Sequence, residues 1–163
     1  MNRYLQELLK REDIPVIFDY DGVLFEARWY VKRIGLQDGS DEALKEAMEN
    51  DCSLYSEPIP YMQMFVKRKV RTKLIFVLGD AHNDIEYNYK SEQLAEKYAR
   101  IKNVMWARNI DDKIKHLEAV RKRYAQFIYI DDDLNALLQM ERYFDDINHC
   151  HFFHYSSLFV DFS

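Results

Sequence analysis

A short apolar segment that ends in two aspartates and a glycine constrains the fold of this chain most strongly. Residues 14–18 are apolar, and Asp19, Asp21 and Gly22 follow. Pro15 lies near the start of the segment, where a strand tolerates the missing N–H group. Such a segment, bounded by turn residues, predicts a buried strand. Open α/β sheets bind ligands at the carboxyl ends of their strands. The pattern therefore predicts a ligand site here, although an aspartate-rich turn explains an isolated Asp-x-Asp-Gly about equally well.

Strands of this kind recur along the chain and alternate with helical segments. Further strands are predicted at residues 73–80, 103–107, 127–130 and 151–155. Helices are predicted at residues 61–69, 91–100, 113–124 and 134–143, with a polar loop at 81–88. Because alternating strands and helices form parallel βαβ units, the sequence predicts an α/β fold with a doubly wound, Rossmann-like parallel sheet of about five strands.

The rest of the predicted domain organisation concerns one insertion. The chain of 163 residues is long enough for a single domain, residues 1–163, with a sizeable core. Residues 25–57 interrupt the strand pattern and predict a small helical cap insertion after the first strand, with a helix that begins at Ser40 or Asp41 and ends near Asn50.

Composition excludes several classes of protein. The net charge of −5 lacks the excess of basic residues that is typical of proteins that bind polyanions, so we expect no polymeric nucleic acid as a partner. Cys52 and Cys150 are too few for a disulfide framework or a zinc site. No apolar segment approaches the roughly 20 residues of a membrane helix, and residues 1–13 lack the apolar core of a signal peptide. We expect a cytoplasmic protein with no membrane partner.

Acidic residues follow three of the predicted strands. They are Asp19 and Asp21, Asp80 after Gly79, and Asp131 with Asp132. Because the carboxyl ends of parallel strands share one edge, these acids would repel one another unless a cation lay between them. Mg²⁺ prefers carboxylates together with phosphate oxygens, so the pattern predicts a magnesium and phosphate site. The alternative for residues 131–133 is that they only cap the helix that follows.

Three motifs resemble those of the haloacid dehalogenase superfamily of aspartate-nucleophile phosphatases. Residues 19–24, Asp-Tyr-Asp-Gly-Val-Leu, are similar to the first motif of that family, and Asp131-Asp132 to the fourth. Lys113 resembles the lysine of the third motif, although Lys115 lies only two residues away. The matches span residues 14–132. The modest size of the cap segment is similar to that of the small deoxyribonucleotidase-like members found in phages and bacteria.

The resemblance implies a role for each matching residue. Asp19 would be the nucleophile that forms an aspartyl-phosphate, and Asp21 the general acid and base. The Asp19 carboxylate, the Asp21 carbonyl and Asp131 would hold Mg²⁺, with Asp132 supporting or replacing Asp131. Lys113 would balance the charge of Asp19 and the phosphate. The implied function is Mg²⁺-dependent hydrolysis of a small phosphomonoester, with a nucleoside monophosphate as the best single substrate.

One departure from the family pattern keeps a second function open. The family's second motif is a strand that ends in Ser or Thr, whose hydroxyl binds the phosphate, whereas this chain has Gly79 followed by Asp80. Backbone N–H groups at these two residues, together with Lys113, are then expected to hold the phosphate. The alternative is a catalytically reduced phosphate-binding or regulatory protein on the same fold. A phospho-receiver domain fits less well, because its acidic pair is not followed by Gly-Val-Leu.

The cap segment carries the candidate contacts to the rest of the substrate. Trp29 or Tyr30 is expected to stack on a base, with a basic neighbour such as Arg28 on the phosphate or sugar. An amphipathic cap helix with a solvated basic face is the alternative. Among the histidines, His82 follows the second strand and is expected at the edge of the site.

Overall fold

A five-stranded parallel sheet forms the centre of the computed structural model, which describes residues 1–27, 30–31 and 54–159, with backbone alone at residues 30, 31, 54 and 55. Its strands are β1 (Val16–Phe18), β4 (Ile75–Asp80), β5 (Asn103–Ala107), β6 (Phe127–Asp131) and β7 (Cys150–His154). They lie in the order β5-β4-β1-β6-β7, and every neighbouring pair is parallel. The predicted α/β fold with a five-stranded parallel sheet is confirmed.

Helices cover both faces of this sheet. They are α1 (Arg3–Leu9), α2 (Pro60–Arg68), α3 (Asp84–Lys97), α4 (Ile110–Arg123) and α5 (Leu134–Phe144), followed by a 3-10 turn at Tyr155–Leu158. The first three helices pack on one face, where Phe65 and Leu94 join a core cluster with Val77 of the sheet. The last two pack on the other face, where Leu117 joins Ile17. Strand β1 is buried on both sides, which explains its unbroken apolar sequence.

One predicted loop is largely a helix. Residues 84–88, predicted to be loop, form the first turn and a half of α3. Asn83 caps this helix by accepting a hydrogen bond from the Glu86 amide at 2.9 Å, and Asp84 lies in the first turn, where the helix dipole favours acids. The segment was predicted to be a loop because its residues are mostly polar, although Asn83 is a typical N-cap residue.

The insertion after β1 leaves and rejoins the domain at one place. The Glu26 amide donates to the Glu57 carbonyl at 2.8 Å, and the Ser56 hydroxyl donates to the Glu26 carbonyl at 2.8 Å. Beyond these contacts the backbone forms a short antiparallel pair, β2 (Tyr30–Val31) with β3 (Leu54–Tyr55), which the sequence did not predict. The predicted cap helix between residues 40 and 50 lies outside the described residues.

None of the helices in the described ranges combines the length and the apolar character that crossing a bilayer requires.

Candidate active site

Asp19 lies at the carboxyl end of β1, in the middle of the sheet. Its backbone amide donates to the Ile130 carbonyl at 2.9 Å, which continues the pairing of β1 with β6 by one residue, and its side chain is buried. The chain then turns at Gly22, which has φ of +79°. A Cβ atom at Gly22 would lie 1.9 Å from Asp132 Oδ2, so this position needs glycine both for its backbone and for the approach of Asp132.

Lys113 brings three strand ends together. It lies in the first turn of α4, and its Nζ atom is 3.0 Å from Asp19 Oδ1, 3.6 Å from Asp131 Oδ2 and 3.8 Å from Asp80 Oδ2. Burial alone would lower the pKa of Lys113, but the surrounding carboxylates raise it above its ordinary value. The lysine therefore carries a fixed positive charge beside Asp19.

Asp131 is held by two hydrogen bonds in addition to Lys113. The Tyr129 hydroxyl, two residues earlier on the same face of β6, donates to Asp131 Oδ2 at 2.6 Å, and the Asp133 amide donates to Oδ1 at 3.0 Å. Burial raises the pKa of Asp131, but the charge of Lys113 and the bond from Tyr129 outweigh it and hold that pKa below its ordinary value. Asp131 is therefore an ionised carboxylate with a fixed orientation.

The three consecutive acids at the end of β6, residues 131–133, have different roles. Asp133 is the N-cap of α5, and its side chain accepts from the Ala136 amide at 3.1 Å. Asp131 points to Lys113 instead, and Asp132 approaches Gly22. Of these three acids, Asp133 alone therefore fits the alternative that residues 131–133 only cap the following helix.

Asp19, Asp131 and Asp132 form a set of oxygens suited to a cation. One carboxylate oxygen from each lies within 4.8 Å of the others. Ligand oxygens around one octahedral Mg²⁺ lie about 3–4 Å apart, so the set fits that ion with little movement. Burial raises the pKa of Asp19 well above its ordinary value, and burial and Asp131 raise that of Asp132 to about 6. A cation bound by these oxygens would oppose both shifts, because it would favour the ionised carboxylates.

The side chain of Asp21 forms an ion pair with a different lysine from the one beside Asp19. Lys90 of α3 is completely buried, and its Nζ atom lies 2.8 Å from Asp21 Oδ2, 2.8 Å from Glu86 Oε1 and 2.6 Å from the Asp80 carbonyl oxygen. The same atom lies 5.0 Å from the centre of the Tyr20 ring. Burial raises the pKa of Asp21 above its ordinary value, although Lys90 opposes this shift. The carboxyl group is thus more readily protonated than a solvated one.

Sequence reasoning missed Lys90 and Glu86. The available signal was their spacing of four residues behind the Asn83 cap, which places both on one face of a helix. His82 reaches the same network, since its backbone amide and Nδ1 lie 3.1 and 3.2 Å from Glu86 Oε2. Its predicted place at the edge of the site stays a prediction.

The strand end at residues 79 and 80 presents Asp80, not Gly79, to Lys113. Gly79 lies on the opposite face of β4, where a Cβ atom would lie 2.8 Å from Tyr20 Cβ and 2.9 Å from Trp106 Cζ3. Asp80 is about two-fifths exposed and shares the Lys113 ammonium with Asp19. A carboxylate therefore occupies the place where the resemblance leads one to expect a hydroxyl. Phosphate binding by the backbone amides of these two residues stays a prediction.

Arg28 and Trp29, expected to contact the phosphate or the base, are outside the described residues. A scan against protein-family models finds no match to this chain, and neither does a comparison with curated proteins. The residues of the site are therefore the basis for assigning a function.

Proposed function

We propose that this protein is a phosphohydrolase that transfers the phosphoryl group of a small phosphomonoester to Asp19 and then to water. The observation that carries the proposal is the placement of Lys113 Nζ 3.0 Å from Asp19 Oδ1, with one oxygen each from Asp131 and Asp132 within 4.8 Å of an oxygen of the same Asp19 carboxylate. A dianionic ester approaches a carboxylate nucleophile only where fixed cations offset the repulsion.

The reaction would proceed in two steps. Asp19 attacks phosphorus and forms an aspartyl-phosphate, while the leaving oxygen takes a proton from Asp21. Water then attacks the aspartyl-phosphate after Asp21 removes its proton, which releases phosphate and restores Asp19. The raised pKa of Asp21 supports the proton-donating role, because burial favours the protonated form of this carboxyl group. Lys113 stays charged throughout and faces both the nucleophile and the incoming phosphate.

Mg²⁺ is the cofactor that the acidic set supports, held by Asp19, Asp131 and Asp132. When bound, the ion would neutralise charge on the transferring phosphoryl group. The proposed Asp21 carbonyl ligand is part of this same hypothesis. A nucleoside monophosphate remains the best single substrate, with Arg28 and Trp29 as the proposed contacts to its phosphate and base.

A second function, phosphate or nucleotide binding without turnover, is favoured by one observation. The Asp80 carboxylate lies 3.8 Å from Lys113 Nζ and competes with the substrate for that cation. The negative charge of Asp80 opposes transfer of a phosphoryl group beside Lys113, and a protein that only binds a phosphorylated ligand performs no such transfer.

The decisive experiment detects the covalent intermediate. The protein is mixed with Mg²⁺ and a ³²P-labelled nucleoside monophosphate, quenched in acid, and tested for label that hydroxylamine removes, as it does from an acyl phosphate. The wild type should hold label and release phosphate, and Asp19→Asn should do neither. Asp84→Asn, which changes an exposed acid in the first turn of α3, is the matched control and should behave as the wild type. Turnover by a folded Asp19→Asn protein would refute the mechanism, whereas ligand binding without label would favour the second function.

A further inference from the structure

A strongly basic segment lies at the edge of the sheet opposite the acidic site. The segment from residue 67 to residue 73 joins α2 to β4 and lies at the amino ends of the strands. It contains five cations and no acid, and all five side chains are exposed: Lys67, Arg68, Lys69, Arg71 and Lys73. The whole chain carries a net charge of −5, so the charge of this segment is opposite in sign to that of the chain as a whole.

Arg100 holds this segment in one conformation. Its guanidinium donates to the carbonyl oxygens of Val66, of Val70 at 3.1 Å and of Thr72 at 3.2 Å. The Thr72 hydroxyl donates in turn to the Glu12 carbonyl at 2.9 Å, which ties the segment to the connection between α1 and β1. Val70 and Thr72 are buried, so the intervening cations project outward from a fixed backbone. Such preorganisation reduces the entropic cost of binding a ligand.

A cavity of about 210 Å³ lies between α1 and this segment. Four cations and no acid line it, and its lining residues are Met1, Gln6, Leu9, Lys10, Arg68, Lys69 and Arg71. Lys10 forms an exposed ion pair with Glu7 at 2.8 Å. Within the part of the chain that the structure describes, no acid lies within ion-pair distance of Arg68, Lys69 or Arg71. These three charges are therefore available to an anion from outside.

We propose that this basic cavity binds the phosphate backbone of a single-stranded nucleic acid. Arginine and lysine are the side chains that bind phosphate oxygens most strongly. Four cations in the cavity, flanked by Lys67 and Lys73, exceed what a single phosphate needs and match several consecutive phosphates. A phosphate of a flexible strand can enter a concave cavity, whereas the plane of a bilayer surface cannot. Because the contacts are to phosphates, binding is independent of base sequence.

The site is separate from the acidic site and does not depend on the proposed hydrolysis. The expectation of no nucleic-acid partner came from the net charge of the whole chain, which does not describe the local charge of this segment. The local charge determines what binds at each edge.

Fluorescence anisotropy with a labelled oligothymidylate of about 20 nucleotides, longer than a single binding site, tests the proposal. Four phosphate contacts to a single strand predict a slope of about −3 in log K against log salt, or about 50-fold weaker binding at 200 mM than at 50 mM salt. The triple variant Arg68→Gln, Lys69→Gln, Arg71→Gln should bind at least about tenfold more weakly at 50 mM, with a slope near −0.7. Oligoadenylate should bind the wild type with a similar slope.

The control triple variant removes the same charge from helices on the other face of the sheet: Lys115→Gln, Lys122→Gln and Arg142→Gln. It should bind as the wild type does, and both triple variants should melt as the wild type does. No binding of oligothymidylate by the wild type at 50 mM salt would overturn the proposal. An equal loss in the two triple variants would overturn it too, because that result means non-specific attraction. Binding to phosphatidylserine vesicles but not to the oligonucleotide would assign the surface to a membrane instead.

Discussion

Lys90 Nζ lies 2.8 Å from Asp21 Oδ2, and the whole lysine side chain is excluded from solvent. Asp19, two residues earlier in the chain, is bound to Lys113 instead. The two lysines come from helices on opposite faces of the sheet, because α3 packs on one face and α4 on the other. The two acids of one short motif are thus held by separate cations, which gives each carboxylate its own environment and fits the different roles proposed for them.

Replacing Lys90 with methionine should destabilise the protein by about 3–5 kcal/mol, because Asp21 and Glu86 lose a buried cation. Chemical denaturation measures the change. Lys122→Met, which removes an exposed lysine, is the control and should alter stability by less than about 0.5 kcal/mol. Adding Glu86→Gln to Lys90→Met should recover part of the loss, since it removes one uncompensated charge. A Lys90→Met protein as stable as the wild type would show that the lysine is not paired in solution.

A buried histidine should make stability depend on pH. His151 contacts the Tyr4 hydroxyl through Nδ1 at 3.1 Å and Gln126 Oε1 through Nε2 at 2.9 Å. Both bonds suit the neutral ring, and burial lowers its pKa below the ordinary value of 6.5. The unfolded state therefore binds the proton more readily, so this contribution is complete above about pH 6.5 and is lost as the pH falls through the folded-state pKa.

The measurement compares the stability of wild type and His151→Gln from about pH 7 to about pH 5. The wild type should lose more stability than the variant, by at most about 1.4 kcal/mol per pH unit for one proton. His116→Gln, which replaces a histidine of α4 outside this cluster, should keep the wild-type slope. Parallel pH curves for wild type and His151→Gln would contradict the prediction.

The sequence was sufficient to predict the parallel sheet and the approach of several candidate site residues to one edge of it. Strands that end in acids, alternating with helices, place Asp19, Asp80 and Asp131 on one edge whatever the details of packing. Lys113 lies in the first turn of a helix that starts from the same edge, so its position follows from the same argument. These relationships are local in sequence or are imposed by the parallel sheet.

The rest of the candidate site depended on packing that no local pattern encodes. Lys90 reaches Asp21 across 69 positions of sequence, and the contact depends on how α3 lies against the sheet. The choice between Gly79 and Asp80 depended on which face of β4 each residue occupies, which follows from the register Phe18 with Val77. A shift of one residue exchanges the two faces, so the assignment required the structure.

Magnesium should stabilise the folded protein through the Asp19, Asp131 and Asp132 set. An ion at about 100 times its dissociation constant adds about 2.7 kcal/mol, which raises Tm by about 5–10 °C for a chain of this length. Asp131→Asn should abolish most of the shift. Sodium chloride at equal ionic strength is the control for screening, and superimposable melting curves in the two salts would contradict a metal site.

A side chain at Gly79 should destabilise the sheet without improving catalysis. The Cβ atom of serine there would come within 3.0 Å of Tyr20 Cβ, in a fully buried residue, and of the ring of the half-buried Trp106. Overpacking of this kind costs about 1–3 kcal/mol. Thermal or chemical denaturation of Gly79→Ser measures the cost, with Gly79→Ala as a partner that separates the clash from the effect of the hydroxyl. Wild-type stability in both would mean that β4 relaxes around the added atom.

Asp80→Thr is therefore the change that tests whether a hydroxyl at the end of β4 would bind the phosphate. It removes a carboxylate that competes for Lys113 and places a hydroxyl where an incoming phosphate can accept a hydrogen bond. A hydrogen bond to a charged group contributes about 1.5–3 kcal/mol, so kcat/KM for a phosphomonoester should rise about 10- to 150-fold if the protein is a phosphatase. Steady-state hydrolysis in Mg²⁺ measures the change in kcat/KM, and Asp84→Thr, at an exposed acid of α3, is the control.

If the protein binds phosphate without turnover, Asp80→Thr should tighten phosphate binding and leave hydrolysis absent. A large loss of activity in a stable Asp80→Thr protein would show instead that the carboxylate itself takes part in the reaction.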